Sequence, residues 1–224
     1  MPSVTFCLTS CNRFNLLEQT LDSFLSLNDY PIEKFIITED SGSLKMKEKI
    51  QSKYGSFEII FNETNLGLLK SIDNMYSRVS TEYIFHCEDD WRFFNNKNFI
   101  KESIEILEER KDVHQVWIRE QSSLGDWMEN DVVNTSTNVS YKLVKSPHLG
   151  GWCGFSFNPG LRRLSDYKLI FPHGLYQFAS DKGLAYSELN CNNQAAENKY
   201  RAALLMNPAC THIGYHQSTH QKKN

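Results

Sequence analysis

The chain has no apolar run approaching the roughly 20 residues that a helix needs to cross a bilayer, and no basic leader with a signal-like apolar core precedes Val4-Thr5-Phe6-Cys7-Leu8. Those absences point to a cytoplasmic protein, at most peripheral to a membrane, with no membrane-spanning segment. Charge of one sign is also missing. With 24 basic and 27 acidic residues the net charge is −3, which gives no electrostatic case for a nucleic-acid partner. The six cysteines include no pair at zinc-knuckle or redox spacing: Cys7 and Cys11, the only close pair, have three residues between them. They read as reduced thiols that mostly pack. Sequons at Asn62, Asn134 and Asn138 would matter only in a secreted protein and are explained by loop composition. No internal repeat or low-complexity tract is present.

At 224 residues and 40% hydrophobic content, the chain is long enough to bury a substantial core. A strand is expected over Val4 to Leu8, followed by the polar loop Thr9-Ser10-Cys11-Asn12-Arg13. Leu17, Leu21, Phe24 and Leu25 then recur at helical spacing. Lys34 to Thr38 reads as a second strand ending in Glu39-Asp40-Ser41-Gly42-Ser43, and Phe57 to Phe61 as a third. After Asn65-Leu66-Gly67, one helical face is marked by Leu68, Ile72, Tyr76 and Val79. Ile100, Ile104 and Leu107 define another helix, and Val113 to Ile118 another strand. This alternation predicts an α/β fold with a Rossmann-like, doubly wound mixed sheet and helices on both faces. Gly125 to Ser140 is polar and irregular, and the good helix formers of Ala195 to Met206 predict a late helix. The expected organisation is one domain over 1–224 in two parts, about 1–118, which should bind the cofactor-like part of a ligand, and about 119–224 with the C-terminal tail.

The strongest single feature is Glu88-Asp89-Asp90, set directly after the apolar run Tyr83-Ile84-Phe85-His86-Cys87. Three carboxylates at the end of a buried strand repel one another and lose solvation, so a compensating cation is expected. Hard oxygen ligands suit Mg²⁺ or Mn²⁺, ions that commonly bridge carboxylates to a diphosphate. The competing reading is a turn whose acids favour the N-terminus of a following helix.

The order of these features resembles the GT-A glycosyltransferases, in particular the family 2 type. Thr9-Ser10-Cys11-Asn12-Arg13 with the Leu-rich segment after it is similar to the family's opening pattern. Glu39-Asp40-Ser41-Gly42-Ser43 resembles its Asp-Asp-Gly-Ser turn, and Asn65-Leu66-Gly67 its Asn-x-Gly element. Glu88-Asp89-Asp90 stands where the family has its metal-binding DxD motif, with Glu88 replacing the usual first Asp and Ser41 intruding before Gly42.

The resemblance implies a metal-dependent, inverting transfer of a sugar from a nucleoside-diphosphate donor, UDP- or GDP-linked, to a hydroxyl of a glycan or glycoconjugate, as in polysaccharide biosynthesis. A metal held by Asp90, with Glu88 close by, would neutralise the leaving diphosphate. Asp40 is the candidate for ribose or base, and Thr9, Asn12, Arg13, Asn65, Lys70 and Asp89 are candidates for the remaining donor contacts. The family places its base, an Asp or Glu, at the start of a late helix; Glu197 matches that placement and Asp181 is its rival. His212, then His216, are candidates to complete the metal site. Trp152 and Gly151 are candidates for the acceptor, since an aromatic face stacks on a sugar and glycine permits close approach. Two other readings compete. A sugar-phosphate nucleotidyltransferase would need a glycine-rich loop after the first strand, and Thr9 to Arg13 contains no glycine. A non-catalytic nucleotide- or carbohydrate-binding module would not need the acids or the late Glu and His.

Overall fold

The structure is a computed structural model that describes residues 1–145 and 154–215. Its first half alternates strand and helix: β1 (Val4–Ser10), α1 (Phe14–Leu27), β2 (Lys34–Glu39), α2 (Leu44–Tyr54), β3 (Glu58–Phe61), α3 (Leu68–Tyr76) and β4 (Tyr83–Glu88). A short β5 (Trp91–Phe93), α4 (Phe99–Glu109) and β6 (Val113–Trp117) follow. The second half holds β7 (Val133–Asn134), β8 (Ser140–Leu143), β9 (Gly160–Arg163), α5 (Leu164–Ile170), α6 (Leu184–Glu197), β10 (Arg201–Leu205) and β11 (Cys210–His212).

Nine strands form one mixed sheet in the order β3-β2-β1-β4-β9-β6-β10-β8-β7. β1, β2, β3 and β4 run parallel, and β9 lies antiparallel between β4 and β6. The expected α/β architecture is therefore present, with helices on both faces. Alternation along β1 sorts them: Val4, Phe6 and Leu8 face the core built with α1, α2 and α4, whereas Cys7 faces the core built with α3, α5 and α6. Phe6, Phe24 and Phe85 form an aromatic knot at the first of these faces, with ring centroids 4.3 Å (Phe6–Phe24), 5.6 Å (Phe6–Phe85) and 5.5 Å (Phe24–Phe85) apart. No helix among the described residues is long and apolar enough to cross a membrane.

Parallel pairing brings three strand ends to one edge. Thr9 lies opposite Glu88, and Ser10 opposite Glu39, so the Thr9–Arg13 loop, the Glu39–Gly42 turn and the acids share the carboxyl edge where ligands collect in such sheets. A separate two-stranded sheet pairs β5 with β11 and sets His212 opposite Trp91. It is tied to α1, whose Thr20 and Ser23 hydroxyls accept from the Trp91 and Phe93 amides at 3.1 and 3.0 Å.

The late helix differs from expectation. Instead of a helix over Ala195 to Met206, α6 ends at Glu197, Lys199 takes a left-handed φ of 62°, and Arg201–Leu205 becomes a strand between β6 and β8. Alanine and leucine favour helix, but burial of Ala202, Ala203 and Leu204 inside the sheet overrides that weak preference.

Candidate active site

At the carboxyl edge, Thr9, Ser10, Cys11, Arg13, Asp40, Asn65, Gly67, Leu68, Ser71 and Glu88 line a cleft of about 220 Å³. The opening loop is held from below by Glu39, which sequence reasoning missed as a brace. Its buried Oε1 accepts from the Asn12 amide and the Ser41 amide, both at 3.0 Å, and so fixes Asn12 at a φ of 60°. Thr9 is buried in the cleft wall, and Asn12 is exposed at its rim.

Asp40 is more constrained than a simple ribose contact requires. Its Oδ1 accepts from Asn62 Nδ2 and the Leu66 amide, both at 2.8 Å, and its Oδ2 from the Gly67 amide at 2.9 Å. Asn65 Nδ2 donates to the Asp40 carbonyl at 3.0 Å. Asp40 therefore ties the Asn65-Leu66-Gly67 turn to β2, and Gly67, at φ 83°, can take the conformation that starts α3. Asp40→Ala is expected to lower unfolding free energy by about 1–3 kcal/mol, because the buried Asn62 side chain and the part-buried Leu66 and Gly67 amides lose their acceptor. Urea denaturation measures this; a variant as stable as the parent would contradict the clamp.

The acid cluster is built around Arg13. Its Nε donates to Asp89 Oδ2 at 3.2 Å, its Nη2 to Asp89 Oδ1, and its Nη1 to Asp90 Oδ2 at 2.9 Å. Ser10 Oγ adds a 2.8 Å bond to Asp89 Oδ2. The compensating cation that the sequence demanded is thus supplied partly by the chain itself. Burial pushes the Asp89 carboxyl up to about 7, against the pull of Arg13. Burial also opposes ionisation of Asp90, but His212 and Arg13 outweigh it and hold that carboxyl below its ordinary range. Glu88 is raised well above its usual value by burial, then by the charges of Asp90, Asp89 and Glu188.

His212 Nε2 lies 3.3 Å from Asp90 Oδ2, carried there by β11 and by the Ile213 amide, which donates to the Asp90 carbonyl at 2.9 Å. Gly214 packs so tightly on the Asp90 carboxyl that a Cβ there would collide with it. The other Asp90 oxygen, Oδ1, is buried without a hydrogen-bond partner among the described residues. Among the described residues no group of three or more His, Cys, Asp or Glu side chains could enclose a metal ion. The donor set instead suits an ion that takes one carboxylate oxygen from the protein and completes its shell with water and substrate phosphates, a mode typical of Mg²⁺.

Glu188, one turn inside α6, also approaches this edge. Its Oε1 accepts from the Phe157 amide at 3.3 Å, while Asn192, four residues on, accepts from the Gly154 and Phe155 amides at 2.9 and 2.8 Å. Burial raises the Glu188 carboxyl above its ordinary 4.5, with Arg119 among the groups opposing the rise. Arg119 in turn sits 5.1 Å over the Trp91 ring and feels the charges of both Glu188 and Glu88. Nothing in Tyr186-Ser187-Glu188-Leu189 marked Glu188 in the sequence; its i,i+4 partner Asn192 was the available signal.

Other expected positions fall elsewhere. Glu197 is the exposed last residue of α6, not a first-turn residue of a late helix, and Asp181 is exposed before Gly183, which starts α6. Lys70 lies on the exposed face of α3 with its ammonium 4.2 Å over the Tyr176 ring, outside the cleft wall. Gly151, Trp152 and His216 lie outside the described residues.

The family model for glycosyl transferase family 2 matches residues 5–163. No curated protein matches the chain in sequence. Among solved structures, S. aureus TarS 1-349 is similar at 15% identity and a TM-score of 0.62, covering 93% of this chain and 59% of its own. The mannosyltransferase PcManGT from Pyrobaculum calidifontis, in complex with GDP-Man and Mn²⁺, gives 11% identity and 0.62 over 97% of this chain and 58% of its own. The TarS fragment in complex with UDP-GlcNAc gives 14% and 0.60 over 96% and 62%. The chain thus spans about three fifths of each of these structures.

Proposed function

The chain belongs to glycosyl transferase family 2, and from that premise we propose that it moves a sugar from a UDP- or GDP-linked donor to a hydroxyl of a glycan or glycoconjugate, with a divalent cation at Asp90 and Glu188 as the base. The observation that carries this reading is the buried Asp90 Oδ1, without a hydrogen-bond partner among the described residues, in a cluster with Arg13 and next to Glu88, both of which line the cleft. The neighbours bound to GDP-Man and UDP-GlcNAc support a nucleotide-sugar donor, and the Mn²⁺ complex supports the cation.

In this reading the nucleoside diphosphate lies along the cleft, bordered by Thr9, Asp40 and Asn65. Asp90 would hold Mn²⁺ or Mg²⁺ through Oδ1, with His212 kept on Oδ2 as its orienting partner, and the bound ion would neutralise charge on the departing diphosphate. Glu88, raised well above its usual range by burial and then by the neighbouring carboxylates, borders the same space. Arg119 stacks on Trp91 and offsets the negative field between Glu88 and Glu188.

Glu188 removes the acceptor hydroxyl's proton as that oxygen attacks the anomeric carbon opposite the leaving nucleotide, which inverts the centre. A carboxylate raised by burial is a stronger base than one in water, provided that it is ionised at working pH. Because only the ionised form accepts a proton, activity is expected to fall as pH drops through the raised Glu188 pKa. The acid limb of kcat/KM, which reports the free enzyme, should therefore lie above the ordinary glutamate value of 4.5, and a limb at or below it would remove Glu188 from the role. The function itself is tested by nucleoside-diphosphate release from a panel of UDP- and GDP-sugars with Mn²⁺ and sugar acceptors. Release from one donor class supports the reading; release from none contradicts it.

A further inference from the structure

We infer that Arg13 is a permanent positioning residue of the cation site, which stays on Asp89 and Asp90 when the donor arrives instead of swinging to the donor's base or phosphates. The inference rests on the reading that Asp90 holds the cation. Its basis is how completely the guanidinium is already used. Two N–H groups form a fork on Asp89 and a third reaches Asp90 Oδ2, the planar, multi-point recognition in which arginine cannot be replaced by lysine.

Leaving this position would be costly for the partners. Asp89 is fully buried, and among the described residues its side chain accepts, apart from Arg13, from Ser10 Oγ alone, at 2.8 Å. Withdrawing the guanidinium would strand a buried carboxylate, the situation that destabilises most when one member of an ion pair is removed. The backbone is fixed as well: Glu39 holds Asn12, and the Arg13 carbonyl accepts from the Leu16 and Leu17 amides at 3.0 Å to begin α1.

The consequence lies in Asp90. Arg13 and His212 both engage Oδ2, so the carboxylate is locked in one orientation and Oδ1 is the oxygen left over. Arg13 therefore does for Asp90 what the outer partners of metal ligands do generally, setting orientation and the remaining charge.

The experiment titrates Mn²⁺ by electron paramagnetic resonance, alone, with UDP and with GDP, in the wild type, Arg13→Lys and Asp90→Asn. Lysine keeps the charge and loses the fork, so Arg13→Lys is expected to weaken Mn²⁺ binding about 10- to 100-fold. Saturating Mn²⁺ should then restore the variant's nucleotide affinity, a rescue that a general folding defect would not show. Unchanged Mn²⁺ affinity in Arg13→Lys, with binding lost in Asp90→Asn, overturns the inference alone. Unchanged affinity in Asp90→Asn instead overturns the reading beneath it. Should Arg13→Lys not fold, the wild type decides: the Arg13 Nε–H resonance is expected to remain protected from exchange after Mg²⁺ and nucleotide are added, and loss of protection would show that the guanidinium leaves.

Discussion

Asp90→Asn is expected to reduce sugar transfer by about 100-fold or more while leaving the protein folded, the scale seen when one preorganised group that stabilises transition-state charge is removed. The amide keeps the shape of the side chain, and its carbonyl can still accept from Arg13 Nη1, which now lies 2.9 Å from Oδ2. What it removes is the one carboxylate in the cluster held below its ordinary pKa range, with an oxygen that no group among the described residues satisfies. Initial rates over a Mn²⁺ series measure the effect. The expected variant is slow at every concentration, whereas a variant with wild-type rate and wild-type metal dependence would show that Asp90 holds no cation.

Glu188→Gln is the second large effect. Glutamine can keep the bond from the Phe157 amide, now 3.3 Å from Oε1, so donor binding should be unchanged. It cannot take a proton at neutral pH, and kcat is expected to fall about 10²- to 10⁴-fold. Unequal effects on kcat and donor affinity distinguish loss of chemistry from loss of binding. Glu197→Gln and Asp181→Asn serve as comparisons, since both side chains are exposed at the two ends of the α6 region. Normal turnover in Glu188→Gln together with a slow Glu197 or Asp181 variant would return the base to those positions.

Much of the scaffold was legible because its signals are local. Leu17, Leu21 and Phe24 recur on one face of α1, and the apolar run before Glu88 reads as a buried strand. The clustering of Thr9–Arg13, Glu39–Gly42 and the acids followed from parallel strand ends. The β5–β11 pair was not legible: two three-residue strands more than a hundred positions apart carry almost no pattern, and their pairing is what delivers His212. Arg201–Leu205 misled because alanine and leucine favour helix until a neighbouring strand on each side claims their backbone.

Within the site, the sequence located the acids and argued that they need a cation, but not that Arg13 supplies part of it. A charge pair 76 residues apart in the chain has no sequence signature. Asp40 was found for the right pattern and turns out to spend both oxygens on the Asn65–Gly67 turn. Glu188, the proposed base, was missed because the burial of its carboxyl and the bond from the Phe157 amide are properties of the folded chain.

Calorimetric titration of the wild-type protein with UDP and with GDP, each with and without Mn²⁺ at matched ionic strength, tests the central claim most directly. One of the two nucleotides is expected to bind with Mn²⁺ and to lose most of that affinity without it. Binding of neither, or equal binding with and without the ion, would contradict a cation-assisted donor site at Asp90.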